Sequence, residues 1–347
     1  MFQNYHRFFL AFLFTVFVYS LPAQDIIAKE NSDSTLHFID DSTQVHEITL
    51  FLMPTMLPLD WSSPSALYAS MLQIYIKTLG LKDNYLIGHV SMRLNSPLLN
   101  DTLYIAQSSK RWQERIDLVL KDRVGFGILG ADLEGRIEPA GEIKHKLKVY
   151  RDRNLLGFIT FRINKPAMKR MLTFLNEYQK KITEHFAASD FYGGAFWPRY
   201  HYEGAGCSAF GMALLDVAGL IPDAASQWRI DVKIPMNLVG GKFNEGKKIK
   251  NRTIKRTKSW YEGDGRNNID YVNYFVYDPA IMYNWVLEKH KLRDSSHFQL
   301  VSDGTVPGLY KDARNIILNP SEPIFMQRPD TNLFINHYYQ RINLQKR

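Results

Sequence analysis

Residues 202–211 read Tyr202-Glu203-Gly204-Ala205-Gly206-Cys207-Ser208-Ala209-Phe210-Gly211, and Cys207 is the only cysteine among 347 residues. Beyond it Phe210, Leu214, Leu215 and Ala218 recur on one helical face, Asp216 lies off that face, and Gly219 with Pro222 ends the pattern. The spacing predicts a helix that opens at Cys207. A cysteine in a first helical turn has its thiolate favoured by the free backbone N–H groups and the positive end of the helix dipole. Gly204 and Gly206 leave the sulfur open to approach, and the Cys207 N–H can donate to an oxyanion as a carbonyl is attacked. The competing reading is an inert, buried small residue on the helix face.

The N-terminus bears on that choice. His6 and Arg7 precede an apolar run over 8–21, and Leu21-Pro22-Ala23-Gln24 offers a small residue at a cleavage point, the pattern of a secretory signal. The run is short for a membrane span, which needs about 20 apolar residues, so an uncleaved anchor is the lesser alternative. The expected localisation is periplasmic or secreted. A lone thiol in an oxidising compartment has no disulfide partner, so reactivity better explains its presence.

The expected organisation is a signal peptide over 1–24, a polar flexible lead over 25–46, a catalytic domain over 47–230 and an extension over 231–347 packed on the same domain. Hydrophobic residues at 45% and aromatics at 13% supply a real core and argue against disorder. The net charge of +8 is unevenly placed: Lys242, Lys247, Lys248, Lys250, Arg252, Lys255, Arg256 and Lys258 are opposed by Glu245 alone. Such a run attracts phosphates or carboxylates, so an anionic envelope polymer is one expected partner, a solvated loop being the plainer reading. The expected export disfavours nucleic acid as a partner, and none is expected.

Strands are expected over 48–53, 85–94, 102–107, 147–150, 158–163 and 229–234, and a bend or bulge over 124–130, where glycines recur. Helices are expected over 63–79, capped by Ser63; over 108–122; from Pro166 along Met168, Met171, Leu172, Leu175 and Tyr178; and over 279–290, capped by Asp278. Residues 192–202, aromatic and glycine-bearing, read as a cleft wall. Two strands joined closely at 85–94 and 102–107 suggest an antiparallel pair.

A nucleophilic cysteine needs a base. His89 follows Gly88 inside an apolar strand, where sheet geometry aims it at one face and glycine allows the helix close; His201, six residues before Cys207, lies in a loop less able to hold a fixed geometry. Ile87-Gly88-His89-Val90 on a first strand, a second strand after it, and Gly204-Ala205-Gly206-Cys207-Ser208-Ala209-Phe210 opening a helix resemble the circularly permuted branch of the NlpC-like, papain-type cysteine hydrolases and acyltransferases. The resemblance spans residues 47–220. It implies an α+β, papain-like fold with an antiparallel β-sheet packed against the helix that carries the cysteine. It also implies Cys207 as nucleophile and His89 as base and later acid. A third polar residue on the adjacent strand, Gln107 or with a slipped register Ser108, would orient the histidine. Substrate contacts fall to Tyr202, Glu203 and Trp197, with Tyr202 or Glu203 on the oxyanion side.

The expected activity is hydrolysis or acyl transfer at an amide, peptide or ester bond of an envelope component, whether peptidoglycan peptide, lipid or lipoprotein. The alternatives are a noncatalytic envelope-binding protein that uses the basic segment at 242–258, and an α/β-hydrolase with a cysteine nucleophile, for which residues 196–201 make a poor entry strand. No short ligand spacing calls for a metal, and no cofactor is expected.

Overall fold

The computed structural model describes residues 45–345 apart from 80, 82, 84–86, 183–185 and 331. The expected signal segment lies outside the described residues, as does the expected lead up to residue 44. The first element among the described residues is strand β1 (His46–Met53), whose residues are buried except for half-buried Glu47. A strand covered on both faces reads as a continuous apolar run, and Ile48-Thr49-Leu50-Phe51-Leu52-Met53 is one.

β1 is flanked by β2 (His89–Asn95) and β6 (Gly157–Ile163), antiparallel to both. Beyond β2 comes the short β3 (Leu103–Ile105), and beyond β6 come β11 (Val306–Asp312) and β10 (Gln299–Asp303), giving the order β10-β11-β6-β1-β2-β3. The expected antiparallel sheet is in fact mixed, because β11 runs parallel to β6. A parallel neighbour needs a long crossover, and here everything between residues 163 and 306 supplies it. Residues 231–347 thus complete the sheet begun by 47–230.

Alternation along β1 divides the core. Ile48, Leu50 and Leu52 join Val90, Met92 and Leu94 in one cluster with residues of helices that include α4 (Lys165–Gln179), α5 (Cys207–Val217) and α8 (Pro279–Leu292). Phe51 and Met53 face the other way, into a smaller cluster with Tyr150, Leu156 and Val306, where α3 (Ala140–Asp152) lies against β1 and β3. α5 is the central helix: Phe210, Met212, Ala213, Leu214 and Leu215 are fully enclosed. Each large side chain so buried contributes about 1.5–3 kcal/mol of transfer free energy. Gly211 lets α5 lie flat on β2, since a Cβ there would stand 3.2 Å from both Met92 Sδ and Val90 Cγ1.

Local chemistry sets the ends. α1 (Pro64–Thr78) starts where Ser63 accepts from Ala66 N, α4 where Asn164 accepts from Ala167 N, and α8 where Asp278 accepts from Ala280 N; each has proline in its first turn, where a missing N–H costs nothing. Three expectations fail in whole or in part. Residues 147–150 lie inside α3, with Ile143, Leu147 and Tyr150 at helical spacing along one side. Residues 126–130 form a short 3-10 helix in place of a bend in a sheet. Across 108–122 the expected helix divides into β4 (Gln107–Ser109), α2 (Trp112–Ile116) and a π-helical turn over Asp117–Lys121.

A second layer completes the site. β4, β5 (Leu133–Ile137) and β7 (Phe191–Tyr192) form a small sheet, and β8 (Arg229–Pro235) pairs with β9 (Tyr271–Tyr277). Leu133, Val232, Ile234, Val272, Tyr274 and Phe334 share the core beneath them. The remaining helices are α6 (Ala225–Trp228), α7 (Asn251–Arg256) and α9 (Leu333–Gln345).

Candidate active site

Cys207 is the first residue of α5, after Gly206 in extended conformation at the N-cap with no side-chain cap. The first backbone N–H groups of a helix lack intrahelical partners, so the sulfur sits at a mouth of free donors. Its side chain is nearly enclosed, at 7% exposure. Sγ lies 3.9 Å from Gly88 O and 3.9 Å from Ser208 Oγ, so the entry to β2 reaches the helix start. Gly88 also lies close against β1 and the start of α8: a Cβ there would sit 3.3 Å from Met53 O and from Pro279 Cβ and Cγ. The next residue, His89, is in register with Met53 of β1, which anchors the imidazole to the central strand.

His89 Nε2 lies 3.3 Å from Oε1 of Glu138, and the imidazole is near enough to the Cys207 sulfur for each to shift the other's pKa. Glu138 occupies the turn from β5 into α3, and its backbone N donates to Ala106 O at 2.9 Å. Its side chain is completely enclosed, and Lys146 Nζ of α3 donates to Oε1 at 2.6 Å. Cys207, His89 and Glu138 therefore form a chain drawn from a helix start, a strand start and a strand-to-helix turn.

The electrostatics of the three are linked. Burial alone would lower the His89 pKa, but the Glu138 carboxylate and the Cys207 thiolate outweigh it and raise the imidazole to about 9. Burial alone would raise the Cys207 thiol, yet the His89 charge and hydrogen bond, with smaller contributions from Val90 N–H and Ser208, bring it down to about 7. Glu138 is held well below the usual carboxylate range, burial being overcome by His89 and Lys146. At neutral pH the favoured state holds an imidazolium beside a substantially ionised thiol, the form in which sulfur attacks.

Two further buried phenols lie near enough to feel the Cys207 charge. Burial and the nearby Cys207 charge push the Tyr192 phenol above its ordinary value, against the opposing pull of Arg115, whose guanidinium carbon lies 5.1 Å from the Tyr192 ring centroid. Tyr192 therefore stays protonated as a hydrogen-bond donor at the sulfur's side. Tyr274 is raised likewise by burial and by Tyr192, Asp278 and Cys207. Nearby, Trp61 Nε1 donates to Asp278 Oδ2 at 3.0 Å and Trp260 Nε1 donates to Trp61 O at 2.6 Å.

The other sequence-predicted residues are placed elsewhere. Gln107 Nε2 donates to the carbonyls of Ser189 at 2.7 Å and Phe191 at 3.2 Å, and the acceptor turned to the imidazole is Glu138. Ser108 pairs with Arg136 along β4 and β5. Glu203 is sealed inside, bound by Arg328, by Tyr339 Oη and by Trp197 N, so it braces the loop before Cys207. Trp197 packs on Phe275 and Tyr277 with ring centroids at 6.4 and 6.1 Å. Tyr202 is exposed, with a left-handed backbone at φ 69°, and its carbonyl accepts from Tyr338 Oη. The His201 ring lies against Phe325 and Tyr202. Sequence reasoning missed Glu138, Lys146 and Arg115, and it took Tyr192 only as part of an aromatic wall. The one trace of Glu138 in the sequence is an acid standing between the alternating Leu133, Gly135, Ile137 and the proline that opens α3.

Comparison of the chain with family models, with curated proteins and with solved structures finds no match.

Proposed function

We propose that the protein is a cysteine hydrolase or acyltransferase of the papain-like type, acting on an envelope component through an acyl-enzyme at Cys207. The observation that carries this reading is that the residue before His89 touches the Cys207 sulfur while the His89 ring lies 3.3 Å from the buried Glu138 carboxylate, with a thiol lowered to about 7 and an imidazole raised to about 9. A nucleophile, a base and a group that orients the base are the parts covalent acyl transfer requires. A helix that opens on the cysteine and packs on a sheet whose strand brings the histidine supports the papain-like arrangement.

In this reading the Cys207 thiolate adds to the substrate carbonyl carbon, and the carbonyl electron pair moves to oxygen, which accepts from the Cys207 N–H and from Tyr192 Oη. The tetrahedral species collapses, the leaving nitrogen or oxygen takes the proton from His89, and a thioester remains. Neutral His89 then takes a proton from water or from an acceptor amine or hydroxyl, whose oxygen or nitrogen attacks the thioester. The C–S bond breaks, the thiolate returns and His89 is again protonated. Glu138 stabilises the imidazolium at the start and end of the cycle.

Incubation of the protein with envelope fractions, followed by mass spectrometry of the peptide around Cys207, tests the reading. An added acyl mass on Cys207, removed by hydroxylamine and missing in Cys207→Ala, is the expected result. An unmodified peptide and undiminished turnover in Cys207→Ala would overturn it.

A further inference from the structure

α1 is apolar on more than one side. Leu67 and Ile74 are buried beneath it, while Leu72, Ile76 and Leu79 just past its end are 45%, 59% and 55% exposed. A helix apolar all round is ordinarily covered on every side, and here one face is bare. The spacing of 72, 76 and 79 places the three in one stripe about 10 Å long. At the N-terminal end of the same stripe lies Tyr68, with Lys255 Nζ 5.5 Å from its ring centroid.

That lysine belongs to α7, which is tied to α1 by Ser65 N donating to Thr257 O at 3.1 Å. α7 is the centre of the basic run: Lys250, Arg252, Lys255 and Arg256 are all exposed around it, whereas Lys242 is engaged by Asp132. The apolar stripe and the exposed cations therefore lie on adjoining helices, with Lys255 at the stripe itself. Among the described residues no helix is long and apolar enough to cross a membrane.

We propose that α1 and α7 seat the protein on an anionic phospholipid bilayer. Leu72, Ile76 and Leu79 enter the boundary between headgroups and acyl chains, and the α7 cations bind the headgroup phosphates. A helix lying in that boundary needs both apolar burial and cationic attraction, and the two helices divide these tasks. The anionic lipid is selected by the charge cluster beside the stripe; an apolar partner protein would not need it. This seating requires no reactivity at Cys207.

The test uses the full chain carrying Cys207→Ala and Ile76→Cys, with an environment-sensitive fluorophore on the introduced thiol. A second preparation with Leu79→Cys guards against one poorly folding variant, and one with Ile317→Cys, at a site 93% exposed, is the control. Vesicles are phosphatidylcholine alone or with about 30% phosphatidylglycerol. Probes at 76 and 79 are expected to shift to the blue and brighten with the anionic vesicles, with roughly tenfold tighter partitioning than with neutral ones. Salt at about 0.5 M should reverse the shift, Lys255→Glu with Arg256→Glu should abolish the preference, and the probe at 317 should stay aqueous. Probes that remain in water on both vesicles, that respond equally to both, or that shift with protein concentration alone would each overturn the seating, the last by identifying a second copy of the chain as the cover.

Discussion

Glu203 and Glu138 both have completely enclosed side chains facing a cation, yet they are satisfied differently. Arg328 donates to Glu203 through Nε at 2.7 Å and Nη2 at 2.9 Å, Tyr339 Oη adds a third bond at 2.8 Å and Trp197 N a fourth at 2.9 Å. Glu138 has Lys146 on Oε1, a titratable imidazole 3.3 Å from the same atom, and no partner for Oε2 among the described residues. A buried network satisfied at every atom rigidifies the chain around it. A buried carboxylate that faces a group able to gain and lose a proton is a device for setting that group's charge. The first carboxylate holds the loop that ends at Cys207, and the second sets the charge of the residue beside it.

The contrast can be broken by mutation. Glu203→Gln leaves the Arg328 guanidinium with only the exposed Asp330 as counter-charge, and loss of about 3 kcal/mol, the low end of the range for a broken buried pair, is expected, read as a fall in the denaturant midpoint. The alkylation rate of Cys207 in the folded fraction should change little. Glu138→Gln should do the reverse: Lys146 keeps Glu142 as a partner, so the stability cost is smaller, while on the proposed function turnover falls roughly 10²-fold or more as the imidazolium loses its partner. Equal effects of the two substitutions on both readouts would erase the distinction between brace and charge-setter. A smaller effect is expected at Gln107→Ala: the loss of bonds to two carbonyls costs about 1–3 kcal/mol and leaves the pH dependence of Cys207 unchanged. A shifted dependence would return Gln107 to the imidazole.

Stability should carry the signature of the pair as well. His89 has a folded pKa raised to about 9 against an unfolded value near 6.5, so its contribution is full below about 6.5 and is lost as pH rises through about 9. Cys207, lowered to about 7, contributes above its unfolded value near 8.5 and loses that contribution as pH falls through about 7. With Cys207→Ala as the background, where the opposing thiol contribution is absent, the stability difference made by adding His89→Ala should shrink as pH rises above about 6.5, measured by denaturant titration. A difference independent of pH would mean that the imidazole is not charged in the folded state.

Much of this was legible in the sequence, for local reasons. Cys207 at a helix start follows from the apolar period after it and the glycines before it, and Gly88 beside His89 marks a strand entry that must be approached closely. The caps at Ser63 and Asp278 are short-range signals that the structure uses as read. The third member of the site was not legible, because the chain changes sheets at Ala106. β3 ends in the large sheet at Ile105 and Gln107 opens β4 in the small one, so adjacency in sequence does not carry Gln107 to the imidazole. Glu138 comes into place through pairing of β5 with β4 and the bond of its own N–H to Ala106 O, both long-range facts. Parallel entry of β11 beside β6 was hidden for the same reason: no local pattern announces the neighbour that a long crossover delivers. The strand expected at 147–150 was a short apolar run whose helical partners lay just outside the window.

The central claim is that His89 and Glu138 hold Cys207 as a thiolate near neutral pH, and the rate of Cys207 alkylation by iodoacetamide as a function of pH tests it most directly. Wild type should titrate with a midpoint near 7, while His89→Ala should move the midpoint to about 8.5 or above and Glu138→Gln part of the way. A wild-type midpoint at or above about 8.5, unmoved by either substitution, would contradict the account.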